Sequence, residues 1–283
     1  MKGCGNAYGA VSIVNAISTG RGAALGVMLK TEAEVELADH GETSLTINGV
    51  RSDPELAVEV VKVFAEYLGL EFTGCRVTTS SEIPVAVGLK SSSSAAVAIA
   101  RAYLDAVGKT LPAETILNLV AEASIRSHTS ITGALDDAAA CMLGGVVVTD
   151  NLARKILLHE KLGETLAAAI YVPPGKTYTR EFRKELLTPV RELVEEAHRL
   201  ALNRQYWKAM TLNGLLHSAA LGLPTAPAIE ALRAGALAAG LSGTGPAVAA
   251  ICHEYVLERV VEAFGRFEGR VLTCSVNRGV DVL

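Results

Sequence analysis

The most constraining feature of this chain is a serine-rich segment between a strand-like run at 75–81 and an Ala-rich helix. The segment extends from Ile83 to Ala95 and reads IPVAVGLKSSSSA. Free backbone N–H groups and the positive end of the helix dipole meet at such a helix start, so an anion is stabilised there. Gly88 lets the backbone approach a phosphate closely, Lys90 adds a positive charge, and one serine hydroxyl can face Mg²⁺. The sequence therefore predicts a phosphate-binding loop.

A structural alternative is that the four serines, Ser91 to Ser94, only cap the helix. Serine is a favoured cap, but one serine is enough. Serine is also a poor helix former, so four in succession lower local stability. Neither Gly-Lys-Thr triplet of the chain has the glycine five residues earlier that a Walker loop requires. We therefore expect a phosphate loop of another kind.

Composition excludes several classes of protein. With 283 residues, half of them hydrophobic, the chain can bury a large core as one domain or two closely packed ones. The net charge of −4 argues against nucleic-acid binding. The five scattered cysteines never form a C-x-x-C pair, which favours reduced thiols over disulfides or zinc. No apolar run approaches the ~20 residues of a membrane span, so we expect a cytoplasmic protein without a membrane partner.

The turn after the first predicted strand presents an arginine. Apolar runs at 8–17 and 23–29 read as strands, and Arg21 lies between two glycines in the segment that joins them. A charge presented from a tight turn suits an anionic ligand. A hairpin turn with a solvated arginine explains the same residues equally well.

Periodicity and breaker residues predict the remaining elements. Predicted helices lie between Pro54 and Gly69, at 92–107, after Pro112, near 179–203, 205–221 and 225–239, and at 254–266. Predicted strands lie at 34–39, 44–47, 155–159, 166–172, 247–252 and 270–276.

Two adjacent carboxylates, Asp136 and Asp137, open a small and apolar segment that ends at Gly144 and Gly145. Aspartate is favourable in the first turn of a helix, so a purely structural role is one interpretation. One aspartate is enough for that role. A second carboxylate in apolar surroundings is costly unless a cation or a proton transfer employs it.

A third signal is the run AGLSGTGP at 239–246, in which glycines alternate with other residues. We predict that it joins a helix to a strand. Three glycines, at 240, 243 and 245, permit a tight turn lined with backbone donors, which can close over a phosphate or a substrate.

These signals together resemble the GHMP kinases, named after galactokinase, homoserine kinase, mevalonate kinase and phosphomevalonate kinase. The pattern Pro84-x-x-x-Gly88-Leu89-x-Ser91-Ser92 resembles the second motif of that superfamily, and 241–246 is similar to its third motif. The aspartate pair resembles the segment that carries the catalytic aspartate, and residues 9–26 are similar to the first motif. Lys90 stands where a small residue is usual, and this variant is similar to the archaeal-type shikimate kinase branch.

The resemblance implies a two-lobed α+β fold with a ribosomal-protein-S5-like N-terminal lobe and a ferredoxin-like C-terminal lobe. We place the lobes at 1–155 and 156–283, with ATP, Mg²⁺ and the acceptor between them. The implied reaction is phosphorylation of the 3-hydroxyl of shikimate by ATP. The alternatives are a kinase of another small alcohol, such as homoserine or mevalonate, and a ligand-sensing relative without catalysis. The oligomeric state is not implied.

The resemblance also assigns residues. The implied ATP-binding residues are Pro84, Val85, Ala86, Val87, Gly88, Leu89, Lys90, Ser91, Ser92, Ser93 and Ser94, with Ser92 and Glu122 as Mg²⁺ ligands. In the family, the catalytic aspartate precedes a glycine by seven residues. This spacing, to Gly144, selects Asp137 as the catalytic residue, with Asp136 as the second candidate. The implied acceptor-binding residues are Asn15, Arg21, Arg126, Ser242, Gly243, Thr244 and Gly245. The first-motif lysine of mevalonate kinases has no counterpart, and Tyr8 aligns with it.

Overall fold

The computed structural model describes residues 1–38, 42–175 and 184–280. The strands are β1 (Lys2–Val14), β2 (Arg21–Leu37), β3 (Ser44–Ile47), β4 (Val50–Ser52), β5 (Cys75–Ser81), β6 (Val146–Asp150), β7 (Lys155–Glu160), β8 (Leu166–Val172), β9 (Ala238–Leu241), β10 (Val248–His253) and β11 (Arg270–Ser275). The α-helices are α1 (Glu55–Leu68), α2 (Ser91–Ala106), α3 (Ala113–Arg126), α4 (Leu135–Leu143), α5 (Arg191–Leu202), α6 (Tyr206–Ala220), α7 (Ala226–Arg233) and α8 (Leu257–Phe264).

The first sheet is organised around β2, which is 17 residues long and replaces two separately predicted strands. Its second half pairs with β5 and its first half with β6, while β1 runs antiparallel along its other side. Strand β2 therefore connects both ends of the sheet. Its first residues, Arg21 and Gly22, pair with Asp150 and Thr149 at the end of β6.

Helix α2 lies close against β1 because small residues face each other. A Cβ atom on Gly5 would lie 2.3 Å from the carbonyl oxygen of Ala98. This close approach explains why the helix after the phosphate loop is rich in alanine, since larger side chains would separate it from the sheet. The packing holds the start of α2 in a defined position.

The second sheet is antiparallel, in the order β11-β8-β10-β9. The helix predicted at 225–239 is wrong beyond Arg233, because Ala238–Leu241 forms β9 and pairs with β10. The glycine-rich run thus joins two strands of a hairpin and not a helix to a strand. A short run of alanine, leucine and glycine suits a buried strand as well as a helix, so periodicity could not decide.

The change from one sheet to the other lies between Glu160 and Leu166. Strand β7 pairs with β6 and therefore belongs to the first sheet, so this change occurs a few residues after the predicted boundary at 155/156. The first part of the helix predicted at 179–203, residues 179–183, lies outside the described residues. Within those that are described, no helix has the length and apolar character to cross a bilayer.

The two sheets share one part of the core. Buried residues from β1, β2 and β6 form a single cluster with residues from β8, β10, α5 and α6. A separate cluster lies on the other face of the first sheet, under α1 to α4. The two halves of the chain are therefore joined by a common hydrophobic interior, and the loops at its rim meet in one cleft.

Candidate active site

A cleft of about 270 Å³ lies where the predicted signals converge. Its walls come from residues 15–17 after β1, the phosphate loop, the connection between α3 and α4, the first turn of α4 and the glycine-rich loop. All three segments singled out from the sequence therefore border the same space. This space has the walls of a binding site for a phosphorylated ligand.

The phosphate loop ends in an unusual backbone conformation. Gly88 has φ of 90° and Lys90, a non-glycine residue, has φ of 63° and ψ of 32°. Lys90 occupies the N-cap position of α2, and no side-chain hydrogen bond caps this helix. The serines are therefore not used as caps. Ser91, Ser92 and Ser93 instead line the cleft.

The glycine-rich loop supports the phosphate loop from the other lobe. The Ser242 hydroxyl donates to the Gly88 carbonyl oxygen at 2.8 Å, and the Ala247 N–H donates to the Val87 carbonyl oxygen at 3.1 Å. A Cβ atom on Gly88 would lie 2.0 Å from the Ser242 carbonyl oxygen. Position 88 therefore requires glycine for close approach as well as for its positive φ.

Asn15 borders the cleft, but its amide holds the glycine-rich loop. Its Nδ2 donates to the Gly243 carbonyl oxygen at 2.7 Å, and its Oδ1 accepts from the Ile17 N–H at 3.0 Å. Ser12 adds a second link, because its hydroxyl oxygen accepts from the Gly243 N–H at 3.0 Å. These contacts favour a supporting role for Asn15. Gly243 and Thr244 also line the cleft.

The two aspartates of α4 have different surroundings. Asp136 is buried, and its Oδ1 accepts from Asn151 Nδ2 at 2.8 Å. A Cβ atom on Gly22 would lie 2.3 Å from Asp136 Oδ2, so the carboxyl is enclosed by the start of β2. Burial, followed by repulsion from Asp137, raises the pKa of Asp136 to about 7, against the opposing effect of Lys90 and Asn151.

Asp137 faces the phosphate loop. Its Oδ1 lies 2.9 Å from Lys90 Nζ, and the two side chains are 15% and 8% exposed. Asp137 Oδ1 is buried, so this contact is an enclosed ion pair. Asp137 therefore joins the first turn of α4 to the start of α2, at the base of the cleft.

Nine predicted site residues are not among those that line the cleft: Pro84, Val87, Leu89, Ser94, Ser242, Gly245, Glu122, Arg126 and Arg21. Glu122 and Arg126 pair with each other at 3.0 Å on the exposed side of α3, and Arg126 also pairs with Glu66 at 2.9 Å. Arg21 lies at the start of β2 with its side chain half exposed, and its Nε is 3.7 Å from an Asp150 carboxylate oxygen. Tyr8, the residue aligned with the missing lysine, lies within β1, away from the cleft lining.

Sequence reasoning overlooked three contributors to this cleft. Asn151 holds Asp136, Ser12 holds Gly243, and the hydroxyls of Thr129, Ser130 and Thr132 line the wall between α3 and α4. Ser12 and Asn151 offered a faint signal, since each is a polar residue in or directly after an apolar strand run. The hydroxyls at 129–132 lie in a loop whose composition is ordinary for a turn.

The buried carboxyl of Asp136 predicts a pH-dependent stability. An aspartate in an unfolded chain titrates near 4, so between pH ~4 and 7 the folded state retains a proton that the unfolded state has lost. The contribution of Asp136 to stability is therefore full below pH ~4 and is lost as the pH rises through 7. We expect Asp136→Asn to gain stability relative to the wild type over this window, on the order of 1 kcal/mol or more.

The measurement is chemical unfolding of both proteins from pH 4.5 to 8, and the difference between them is the informative quantity. Burial lowers the pKa of His217 to about 4, which changes stability in the opposite direction but equally in both proteins. Asp53→Asn, at an exposed aspartate, controls for the substitution itself. A difference that stays constant with pH would contradict a protonated Asp136.

Comparisons with known proteins agree with this architecture. The family model described as GHMP kinases N terminal domain matches residues 55–145, and the model described as GHMP kinases C terminal matches residues 182–270. These ranges include the phosphate loop, the aspartate pair and the glycine-rich loop. They confirm the predicted two-lobed GHMP kinase fold.

Curated relatives resemble the chain over nearly its whole length. A shikimate kinase from Methanothermobacter thermautotrophicus is 41% identical over 97% of this chain and 96% of its own length. A shikimate kinase from Thermococcus kodakarensis is also 41% identical, over 96% of this chain and 98% of its own length. About 40% identity over nearly the full length of both chains identifies the branch of the family to which this chain belongs.

Solved structures of proteins with much lower sequence identity have the same fold. The mevalonate kinase of Methanococcus jannaschii matches with a TM-score of 0.76 at 17% identity, covering 98% of both chains. The homoserine kinase of Cytophaga hutchinsonii matches with a TM-score of 0.75 at 19% identity, covering 98% of this chain and 96% of its own. The chain therefore belongs to the GHMP kinase family, and within it to the branch of the archaeal shikimate kinases.

Proposed function

We propose that this protein transfers the γ-phosphoryl group of ATP to the 3-hydroxyl of shikimate. The curated relatives at about 40% identity over nearly the full chain carry the name shikimate kinase. The observation that carries the chemistry is the cleft itself, in which a helix N-terminus suited to phosphate meets a carboxylate on an ion-paired aspartate. The kinase class follows from this arrangement, and the acceptor from the relatives.

The start of α2 is suited to ATP. Its first backbone N–H groups have no side-chain cap, and the backbone of Gly88 can approach a phosphate without obstruction from a Cβ. The buried hydroxyl of Ser94 has no hydrogen-bond partner among the described residues. We therefore assign the phosphates to the loop from Pro84 to Ser94, with the backbone N–H groups of 88–93 as the main donor set, because the Ser94 N–H already donates to the Lys90 carbonyl oxygen.

Mg²⁺ fits this site through few protein ligands. Mg²⁺ retains several waters and binds one or two protein oxygens together with substrate phosphates. No group of three or more His, Cys, Asp or Glu side chains that could hold a metal ion occurs in the described part of the chain. Ser92 is exposed and lines the cleft, so we propose it as a ligand. Glu122 is the weaker candidate, because Arg126 and Arg154 engage its carboxylate.

Bound Mg·ATP supplies an electrophilic phosphoryl group, and the chain supplies position and a base. We assign Asp137 to the acceptor hydroxyl, whose proton it would accept or orient. Both aspartates border the cleft, and Asp137 suits this role better because it contacts the Lys90 ammonium of the phosphate loop, whereas the Asp136 carboxyl is enclosed by Gly22 and Asn151. Phosphoryl transfer requires mainly positioning and charge neutralisation, which both walls of the cleft provide.

The acceptor would lie between Asp137 and the hydroxyl-lined connection of α3 and α4. Thr129, Ser130 and Thr132 offer the hydrogen bonds that a polyhydroxylated ring requires. Arg21 is the candidate for the carboxylate that the family resemblance gives, and its ion pair with Asp150 is long enough to exchange for a ligand. Arg126 is less suitable since two carboxylates already engage it.

The test is a panel of acceptors. Purified protein is given Mg·ATP with shikimate, homoserine, mevalonate or galactose separately, and ADP formation is followed. We expect turnover with shikimate alone, because a site built for several hydroxyls and a carboxylate leaves buried polar groups unpaired with the other acceptors. Chelation of divalent cations should abolish turnover and added Mg²⁺ should restore it.

The other outcomes separate the alternatives. Equal turnover with homoserine or mevalonate would retain the kinase and overturn the acceptor. Binding of ATP without turnover of any acceptor would favour a ligand-sensing relative. Turnover in the complete absence of divalent cations would contradict the phosphoryl-transfer assignment itself.

A further inference from the structure

We infer that Lys90 is a positioning residue for the reaction, which acts by holding the carboxylate of Asp137. The inference rests on the proposed function and refines it, because the sequence alone assigns Lys90 to the ATP phosphates. The structure instead places the Lys90 ammonium against the proposed base. A residue that acts through Asp137 and one that acts on ATP have different kinetic consequences, so the two roles are separable.

The contact is the most enclosed ion pair among the described residues. Lys90 Nζ lies 2.9 Å from Asp137 Oδ1, and the side chains are only 8% and 15% exposed. Ion pairs at the surface contribute little to structure, whereas breaking a buried pair leaves an uncompensated charge. The position of the Asp137 carboxylate therefore depends on Lys90.

The backbone of Lys90 also points to a role for its side chain. Lys90 has the left-handed conformation at φ of 63°, which costs a residue with a Cβ roughly 1 kcal/mol and which glycine adopts freely. A glycine would therefore be the more stable choice for the backbone alone. Such strain is retained where the surrounding structure uses the residue.

Electrostatics explain why a cation is needed at this point. The first turn of α4 brings two carboxylates, Asp136 and Asp137, into a poorly hydrated site, and like charges at this distance repel. Cys141 on α4 and His217 on α6 are the further titratable groups near Lys90. Lys90 is thus the cation that allows a carboxylate to remain at the base of the cleft.

The location of the Lys90 ammonium argues against the interpretation that its only role is to bind ATP. Lys90 borders the cleft, but its ammonium is held between the glycine-rich loop and α4: a Cβ atom on Gly243 would lie 3.4 Å from Lys90 Nζ, and Asp137 Oδ1 lies 2.9 Å from it. The phosphate-binding groups of the loop are backbone N–H groups at the start of α2, which follow Lys90 in the chain. ATP binding can therefore remain when the ammonium is removed.

The experiment compares Lys90→Met, Asp137→Asn and the double variant with the wild type. We expect Lys90→Met to lower kcat by about 10²-fold or more, a loss comparable to that of one preorganised charged contact. The KM for ATP and the calorimetric Kd for Mg·ATP should change by less than about threefold. The double variant should be no more than about threefold slower than Asp137→Asn, since two residues that act as one unit are not additive.

Two further variants keep the test decisive. Lys109→Met removes an exposed lysine just beyond the end of the same helix and should leave kcat unchanged. Lys90→Arg retains the charge, so it should keep the wild-type KM for ATP and recover part of kcat even if methionine impairs folding. Wild-type turnover of shikimate tests the proposed function separately, and only the comparison among variants tests this inference.

Three results would overturn the inference. One is an ATP KM that rises in Lys90→Met or Lys90→Arg while kcat is retained. Another is a double variant whose loss is the product of the two single losses, which would show that Lys90 and Asp137 act independently. The third is an unchanged kcat in a folded Lys90→Met protein.

Discussion

Asp137→Asn is expected to lower kcat with shikimate by roughly 10²–10⁴-fold, the range for a positioned acid–base group. The amide cannot accept the proton of the acceptor hydroxyl, but it has nearly the same size as the carboxylate. The KM for shikimate and the Kd for Mg·ATP should therefore change little. Steady-state kinetics with both substrates varied, together with calorimetric titration of ATP, measures these quantities.

Asp136→Asn is the matched comparison, one residue earlier on the same helix turn. Asn151 Nδ2 can donate to an amide oxygen as it does to Asp136 Oδ1, so the local structure should persist. The loss of kcat should be clearly smaller than for Asp137→Asn. A larger loss at Asp136 would transfer the catalytic role to the enclosed aspartate and would contradict the assignment made from the cleft.

Gly88→Ala is expected to weaken Mg·ATP binding by at least 10²-fold and to lower the melting temperature by several degrees. The added Cβ would lie 2.0 Å from the Ser242 carbonyl oxygen, a distance at which backbone atoms must move. The two loops would separate, and the Ser242 hydroxyl would lose its contact with the Gly88 carbonyl. Binding energy at a backbone cradle depends on the position of its N–H groups, so ATP affinity should suffer first.

Gly108→Ala provides a control at another glycine with a positive φ. Gly108 also has a positive φ, of 63°, but a Cβ there would meet no atom within 4 Å. We expect a stability loss of about 1 kcal/mol from the left-handed conformation, with unchanged kinetics. ATP affinity in Gly88→Ala that equals that of Gly108→Ala would show that contact between the two loops is not needed for nucleotide binding.

The segments that form the cleft were readable from the sequence because their chemistry is local. A glycine that permits positive φ, hydroxyls at a helix start and carboxylates in a first helical turn each depend on a few consecutive residues. The loop at 84–94, the pair Asp136 and Asp137, and the run at 241–246 all border one cleft. The fold class was implied by the resemblance of these signals, in this order, to the GHMP kinases.

The direction of individual side chains was not readable in the same way. Glu122 and Arg126 are one helical turn apart on α3, and packing against α1 and α2 turns this face away from the cleft. Asn15 has the chemistry of a ligand residue, yet Gly243 and Ile17 occupy its amide. The choice of partner depends on which groups the fold brings near, and a linear pattern does not contain that information.

The sequence by itself determined that this chain has a phosphate loop, a pair of acidic residues and a glycine-rich turn in the order of a GHMP kinase. Only the tertiary structure decided which of these segments contact each other and through which residues. It made 238–241 a strand, because pairing with β10 and the proximity of Gly214 to Gly240 outweigh local preference. It also joined Lys90 to Asp137, residues distant in the chain, because an unpaired charge is costly in a buried position.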